Sequence, residues 1–105
     1  MLIGMPAYMI SQVSVTNKEK FQEYLGKTRS IAAQFGARPV AVGSQPRVLN
    51  GEGDGHQMVF VIEFESIEKL NAWYSSDDYQ ALASLRDEGS DQRMMAYDSM
   101  TLPPS

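Results

Sequence analysis

Apolar and polar positions along this chain change period several times, and the changes mark out its elements. From Ala7 to Val15 (AYMISQVSV) strand formers dominate, with Met9, Val13 and Val15 on one face and Tyr8 and Ile10 on the other. Both faces therefore carry apolar residues. Thr16 or Asn17 then offers a capping oxygen ahead of Lys18-Glu19-Lys20, and Phe21, Tyr24, Leu25, Thr28, Ile31, Ala32 and Phe35 follow at helical spacing. This spacing predicts one long amphipathic helix, closed by Gly36 as a left-handed cap. Arg38 to Leu49 reads as a second strand, but Pro39, Gly43 and Pro46 interrupt it, which predicts a bulge or an edge position. Asn50 to His56 (NGEGDGH) is a glycine-rich turn, and Met58 to Phe64 (MVFVIEF) is a short apolar run suited to a central strand. Ser66 caps a helix with Ile67, Leu70, Trp73 and Tyr74 on its apolar side. Ser76 or Asp77 starts a third, with Tyr79, Leu82, Ala83 and Arg86 on one side and Gly89-Ser90 at its end, and Arg93 to Met100 alternates as a last strand.

The order β-α-β-β-α-α-β predicts an α+β, ferredoxin-like split βαβ: a four-stranded antiparallel sheet with helices over one face, a single domain across residues 1–105 with its core at about 7–100. One helical layer leaves the other sheet face bare. If that face is apolar, as Tyr8 and Ile10 imply, a second copy of the chain is its simplest cover, so a homodimer through the open face is expected.

Composition narrows the function classes. Nine Lys and Arg against thirteen Asp and Glu give a net charge of -4, and the cations are scattered rather than clustered, which argues against nucleic acid as a partner. The absence of cysteine removes disulfides, thiolate nucleophiles and cysteine metal sites. The start, MLIGMPAYMI, lacks a basic n-region and is broken by Pro6, so it resembles neither a secretory signal nor a membrane span; a cytoplasmic protein with no membrane partner is expected.

Four stretches then carry a family resemblance: AYMISQVSVTNKEKFQEYLGK, FGARPVAVG with RVLNGEG after it, VFVIEF, and SIEKLNAWYSSDDYQALASLRDEGSDQRMMAYDSM. Together they resemble the domain of unknown function 1330 family over nearly the whole chain, with Ala72-Trp73-Tyr74 to Tyr79 and the downstream Arg86 and Arg93 as the best signature. The resemblance implies a dimeric α+β barrel, an architecture whose relatives include cofactor-free or cofactor-using monooxygenases, muconolactone-type isomerases and haem enzymes. It implies no agreed reaction. Gly36, Arg38, Glu63, Trp73, Tyr74, Ser76, Tyr79, Arg86 and Arg93 fit the family pattern; Ala37, Pro39, Asp77-Asp78 and a loop 51–56 without tryptophan or proline depart from it.

Candidate chemistry follows from single residues rather than a constellation. Glu63 interrupts an apolar strand, which suits either a general base or a salt bridge to Arg38, Arg86 or Arg93. Arg86, Arg38 and Arg93 are candidates to hold a ligand carboxylate, or to pair with nearby acids. Trp73, Tyr74 and Tyr79, with Tyr8, are expected to frame an aromatic ligand pocket, with Ser76 beside them, or else to serve as core. His56, the single histidine, is a candidate acid-base group or haem ligand, or a solvated loop residue. A zinc or iron site would need more histidines than this, so no metal and no cofactor are expected. The resulting expectation is a small-molecule-binding protein or cofactor-independent enzyme that takes an apolar or carboxylate-bearing metabolite; the alternative is a non-catalytic dimeric module.

Overall fold

A computed structural model describes residues 5–100. Its elements run β1 (Ala7–Val15), α1 (Lys18–Gln34), β2 (Arg38–Ser44), β3 (Met58–Phe64), α2 (Ile67–Ser75), α3 (Asp77–Gln80), α4 (Ala83–Gly89) and β4 (Ser90–Asp98). The strands form one antiparallel sheet in the order β2-β3-β1-β4, so this is the expected four-stranded α+β, ferredoxin-like arrangement.

Local chemistry sets the element ends. The Asn17 side chain accepts from the Lys20 amide to start α1, and Gly36, at φ 77, turns the chain out of it. A side chain at that φ would be strained and would press on Glu65 at 3.2 Å. The Ser66 hydroxyl caps α2 through the Lys69 amide. Strand β2 lies at the sheet edge and its register slips between Pro39 and Ala41, the bulge that its proline predicts. It is shorter than the sequence suggests, because Gln45 takes a left-handed conformation at φ 54 and ends the strand before Pro46.

The third helix departs from expectation too. It is two short helices, α3 and α4, because the Leu82 amide bonds the Tyr79 carbonyl at 2.8 Å in a tightened turn and no side chain caps the restart. β4 begins at Ser90, three residues earlier than the alternation shows. The Gly89 carbonyl accepts from the amides of Thr16 and Asn17, at 3.0 and 3.1 Å, which lines the chain up beside the end of β1.

The core lies on the helix-covered face. Ala7, Met9, Ser11 and Val13 of β1 are buried there with Phe64, Phe21, Tyr24, Leu70, Trp73, Tyr79 and Leu82. Strand pairing puts Tyr8, Ile10 and Gln12 on the opposite face with Val59, Val61 and Glu63 of β3 and Arg93, Met95 and Tyr97 of β4. No described helix lies over that second face, and the molecule is only 17 Å across its thinnest axis. No helix of the described residues is long and apolar enough to cross a membrane.

Candidate functional site

Two hollows flank the sheet, one on each face. On the helix side a crevice of about 240 Å³ opens between α1 and the sheet; its walls include Phe21, Tyr24, Leu25 and Thr28 of α1, Phe60 and Ile62 of β3, and Trp73. It arises because β2, an exposed edge strand, extends past the cover that α1 gives to the middle of the sheet. At about 30 Å³ per water, its volume matches roughly eight waters or one small organic molecule.

Arg29 and Arg38 also line this crevice, and its uncharged polar groups fall into two sets. Ser11 and Gln92 satisfy one another: the Ser11 hydroxyl donates to Gln92 Oε1 at 2.7 Å, and Gln92 Nε2 donates to Ser90 Oγ at 2.9 Å. Trp73 Nε1, by contrast, is buried without a hydrogen-bond partner, and Thr28 Oγ1 makes no well-formed hydrogen bond, lying only within reach of the Tyr24 phenol. Such orphans are uncommon and each costs the desolvation of its polar group. Behind them runs a buried chain in which the Tyr24 and Tyr79 hydroxyls share a bond of 2.8 Å and Arg86 Nη1 donates to Tyr79 at 3.1 Å. Burial, then the neighbouring Tyr79 phenol, raises the Tyr24 pKa far above the ordinary tyrosine value. Burial works against the Arg86 charge, but Asp87 at 2.9 Å and the Tyr79 oxygen more than offset it, so the guanidinium holds its proton more tightly than usual.

The second hollow, about 1120 Å³, lies on the open face under the loop 45–57, with Ile10, Gln12, Met95 and Tyr97 as its floor. His56 is not a solvated loop residue. Its side chain is 13% exposed, with Nδ1 at 3.0 Å from Asp54 Oδ1 and Nε2 at 3.7 Å from Asp91 Oδ2, and Arg93 reaches Asp54 at 3.9 Å. The His56 amide also donates to Asp54, and these bonds to the His56 backbone and ring hold the Asp54 carboxyl below its ordinary value.

The sheet thus separates the residues that the sequence groups together. Trp73 and Tyr79 pack at 4.4 Å between ring centroids on the helix side, and Tyr74 joins them at 5.4 Å from Tyr79 while staying half exposed. Tyr8 does not complete this aromatic group: it alternates onto the open face, opposite Glu63 and Tyr97. Ser76 is a cap, donating to the Trp73 carbonyl at 2.7 Å and accepting from the Tyr79 amide. Glu63 takes two bonds from Arg38, at 2.8 and 2.7 Å, and lines neither hollow. Arg86 also lines neither; its guanidinium is committed to Asp87 and Tyr79. Among the described residues no cluster of three or more His, Cys, Asp or Glu side chains is arranged to hold a metal ion.

Comparison with known proteins settles the family. The model of the domain of unknown function DUF1330 matches residues 6–100. The chain belongs to the DUF1330 family. No curated protein matches it in sequence. Among solved structures it is similar to RPA0582, a protein of unknown function from Rhodopseudomonas palustris, at TM-score 0.75 and 18% identity over 93% of this chain and 85% of that one. It is similar to SnoaB, a cofactor-independent oxygenase from Streptomyces nogalater, at TM-score 0.65 and 9% identity over 97% and 100%. A dimeric ferredoxin-like protein of unknown function from Thermobifida fusca matches at TM-score 0.62 and 12% identity over 94% and 95%. At these identities the likeness is one of fold.

In this DUF1330 chain the reading of the sequence passes over Thr28, and takes Tyr24 as plain core. A signal was present: two hydroxyl residues one turn apart on an otherwise apolar helix stripe, which a dry core would not favour unless something met their oxygens.

Proposed function

We propose that the protein is a single-domain, cytoplasmic homodimer of the dimeric α+β barrel type, packed open face to open face, and that each protomer binds a small, largely apolar metabolite in the crevice beneath α1. The observation that carries the ligand reading is the pairing of an apolar crevice with a buried donor, the indole N–H of Trp73, that finds no partner within the protein. Native proteins leave few such atoms unmet, and a site lined by apolar walls with a few polar groups is what small ligands use. The dimer reading draws on the apolar residues of the open face and on the Thermobifida fusca structure, which is dimeric. The SnoaB likeness supports a fold that works without a cofactor.

Glu63 and His56 project from the other side of the sheet, so neither would handle protons in this crevice. A non-catalytic module has one observation in its favour: Arg38 and Arg86 are both paired with acids. A module of that kind would be expected to collapse its cavities, and the crevice stays open.

A thermal-shift screen of small aromatic and alicyclic compounds against the parent and Val42→Phe tests the site, since Val42 lines the crevice and is exposed enough to accept a larger side chain. Hits should stabilise the parent and lose most of that effect in the variant. Compounds that stabilise both equally bind elsewhere and would remove the crevice from consideration.

A further inference from the structure

We propose that the crevice selects ligands by a hydrogen-bond acceptor oxygen, that of a ketone, enolate or phenolate, which Tyr24 meets by turning its phenol proton inward. This rests on the reading of the crevice as a ligand site, and deepens it.

The inference comes from counting protons along the buried chain. A guanidinium only donates, so the Tyr79 oxygen accepts from Arg86 at 3.1 Å. Tyr79 then has one proton and two acceptors within reach, the Tyr24 oxygen at 2.8 Å and the Met94 sulfur at 3.5 Å. In one arrangement Tyr24 donates to Tyr79, and Tyr79 donates to the sulfur. In the other Tyr79 donates to Tyr24, and the Tyr24 proton is released toward Thr28 and the crevice that both residues line. Moving from the first to the second gives up only a bond to a weak sulfur acceptor. An acceptor oxygen in the crevice repays that loss with a full hydrogen bond among apolar walls.

Two further features point the same way. The indole N–H of Trp73, a residue that lines the crevice, can only donate, is buried and has no partner within the protein. The Arg86 charge lies behind the two phenols rather than in the crevice, where it favours negative charge on a bound oxygen without forming an ion pair with it. Arg86 is in this respect a positioning residue: by donating to the Tyr79 oxygen it leaves the Tyr79 proton to go either to Tyr24 or to the Met94 sulfur.

The test uses acetophenone and isopropenylbenzene, which share a shape and differ by an acceptor oxygen against a methylene. Both are titrated into the full-length protein and followed by amide and indole N–H resonances; the single tryptophan gives one indole signal. Acetophenone should bind about tenfold more tightly, as expected for one hydrogen bond to a buried donor, and shift the Trp73 indole resonance. In Tyr24→Phe the preference should fall at least about threefold while isopropenylbenzene binds as before. For Arg86, bound 4-nitrophenol read by its visible absorbance should ionise more readily than free 4-nitrophenol, and Arg86→Gln should abolish that difference. Equal binding of the two aromatic probes by the parent overturns acceptor selection and leaves the crevice as a ligand site. Binding of neither, or binding that leaves the Trp73 signal unmoved, overturns the crevice reading and this inference with it.

Discussion

On the helix-covered side of the sheet, Ala7, Met9, Ser11 and Val13 are buried and the polar groups among them are either wired into the Tyr24-Tyr79-Arg86 and Ser11-Gln92 chains or left as orphans at a crevice. On the open side the alternate residues of the same strand, Tyr8, Ile10 and Gln12, are half buried, and the polar side chains around them lie against acids: Arg38 bonds Glu63, and His56 lies 3.0 Å from Asp54, though neither of its ring nitrogens makes a well-formed hydrogen bond. A paired charge at a rim is a feature of the surface, and adds little. The buried Trp73 donor beside the crevice has no such resolution inside the protein. Of the charged candidates in the sequence only Arg38 reaches the crevice, and Glu63 holds it, so the neutral hydroxyl and indole groups are the better guide to it.

The largest break in the comparison should come from Trp73→Ala. Removing a side chain that is 2% exposed and packed on Tyr79 and Phe64 should cost about 3–5 kcal/mol in urea unfolding, whereas Tyr97→Ala on the open face should cost under about 1 kcal/mol in a monomer. Similar losses for both would mean that the two faces are not distinct in packing. Met95→Glu probes the proposed dimer: it places a charge beside Ile10, and sedimentation should show the parent mass halved at about 10 µM, with protomer unfolding changed by less than about 0.5 kcal/mol. A parent that already sediments as a single protomer would remove the dimer altogether.

The hydroxyl chain gives the next effect. The folded protein holds the Tyr24 proton more tightly than the unfolded chain does, so its stabilisation is complete below the ordinary tyrosine value of 10.0 and drains away as pH rises above it. Stability measured from pH 9 upward should fall more gently in Tyr24→Phe than in the parent, and parallel curves would show the phenol to be solvated. Smallest of all, Arg38→Ala breaks an ion pair whose arginine is 74% exposed, and should shift unfolding by less than about 1 kcal/mol, less still at high salt.

Much of the fold is legible because its signals are local. Asn17, Gly36 and Ser66 announce their caps within three or four residues, and Pro39 announces its bulge. The split between α3 and α4 is not announced, because Leu82 is a good helix residue whose turn is tightened by the packing of its neighbours. The site is less legible for a similar reason. Tyr24 and Tyr79 are 55 positions apart, and nothing near either tells that their hydroxyls meet. The placing of Tyr8 with Trp73 is an error that register corrects: a shift of one residue along β1 changes the face, and the register comes from long-range pairing with β3 and β4.

Strand β2 carries one more consequence. The rim of a sheet is a row of unsatisfied amides that invites another molecule to extend the ladder without limit. Here that rim holds Pro39, which has no N–H to offer, and a slipped register next to it that spoils the straight line a newcomer would need. Growth by strand addition along this edge is therefore discouraged, which leaves β4 as the edge of the sheet where a ladder could still be extended.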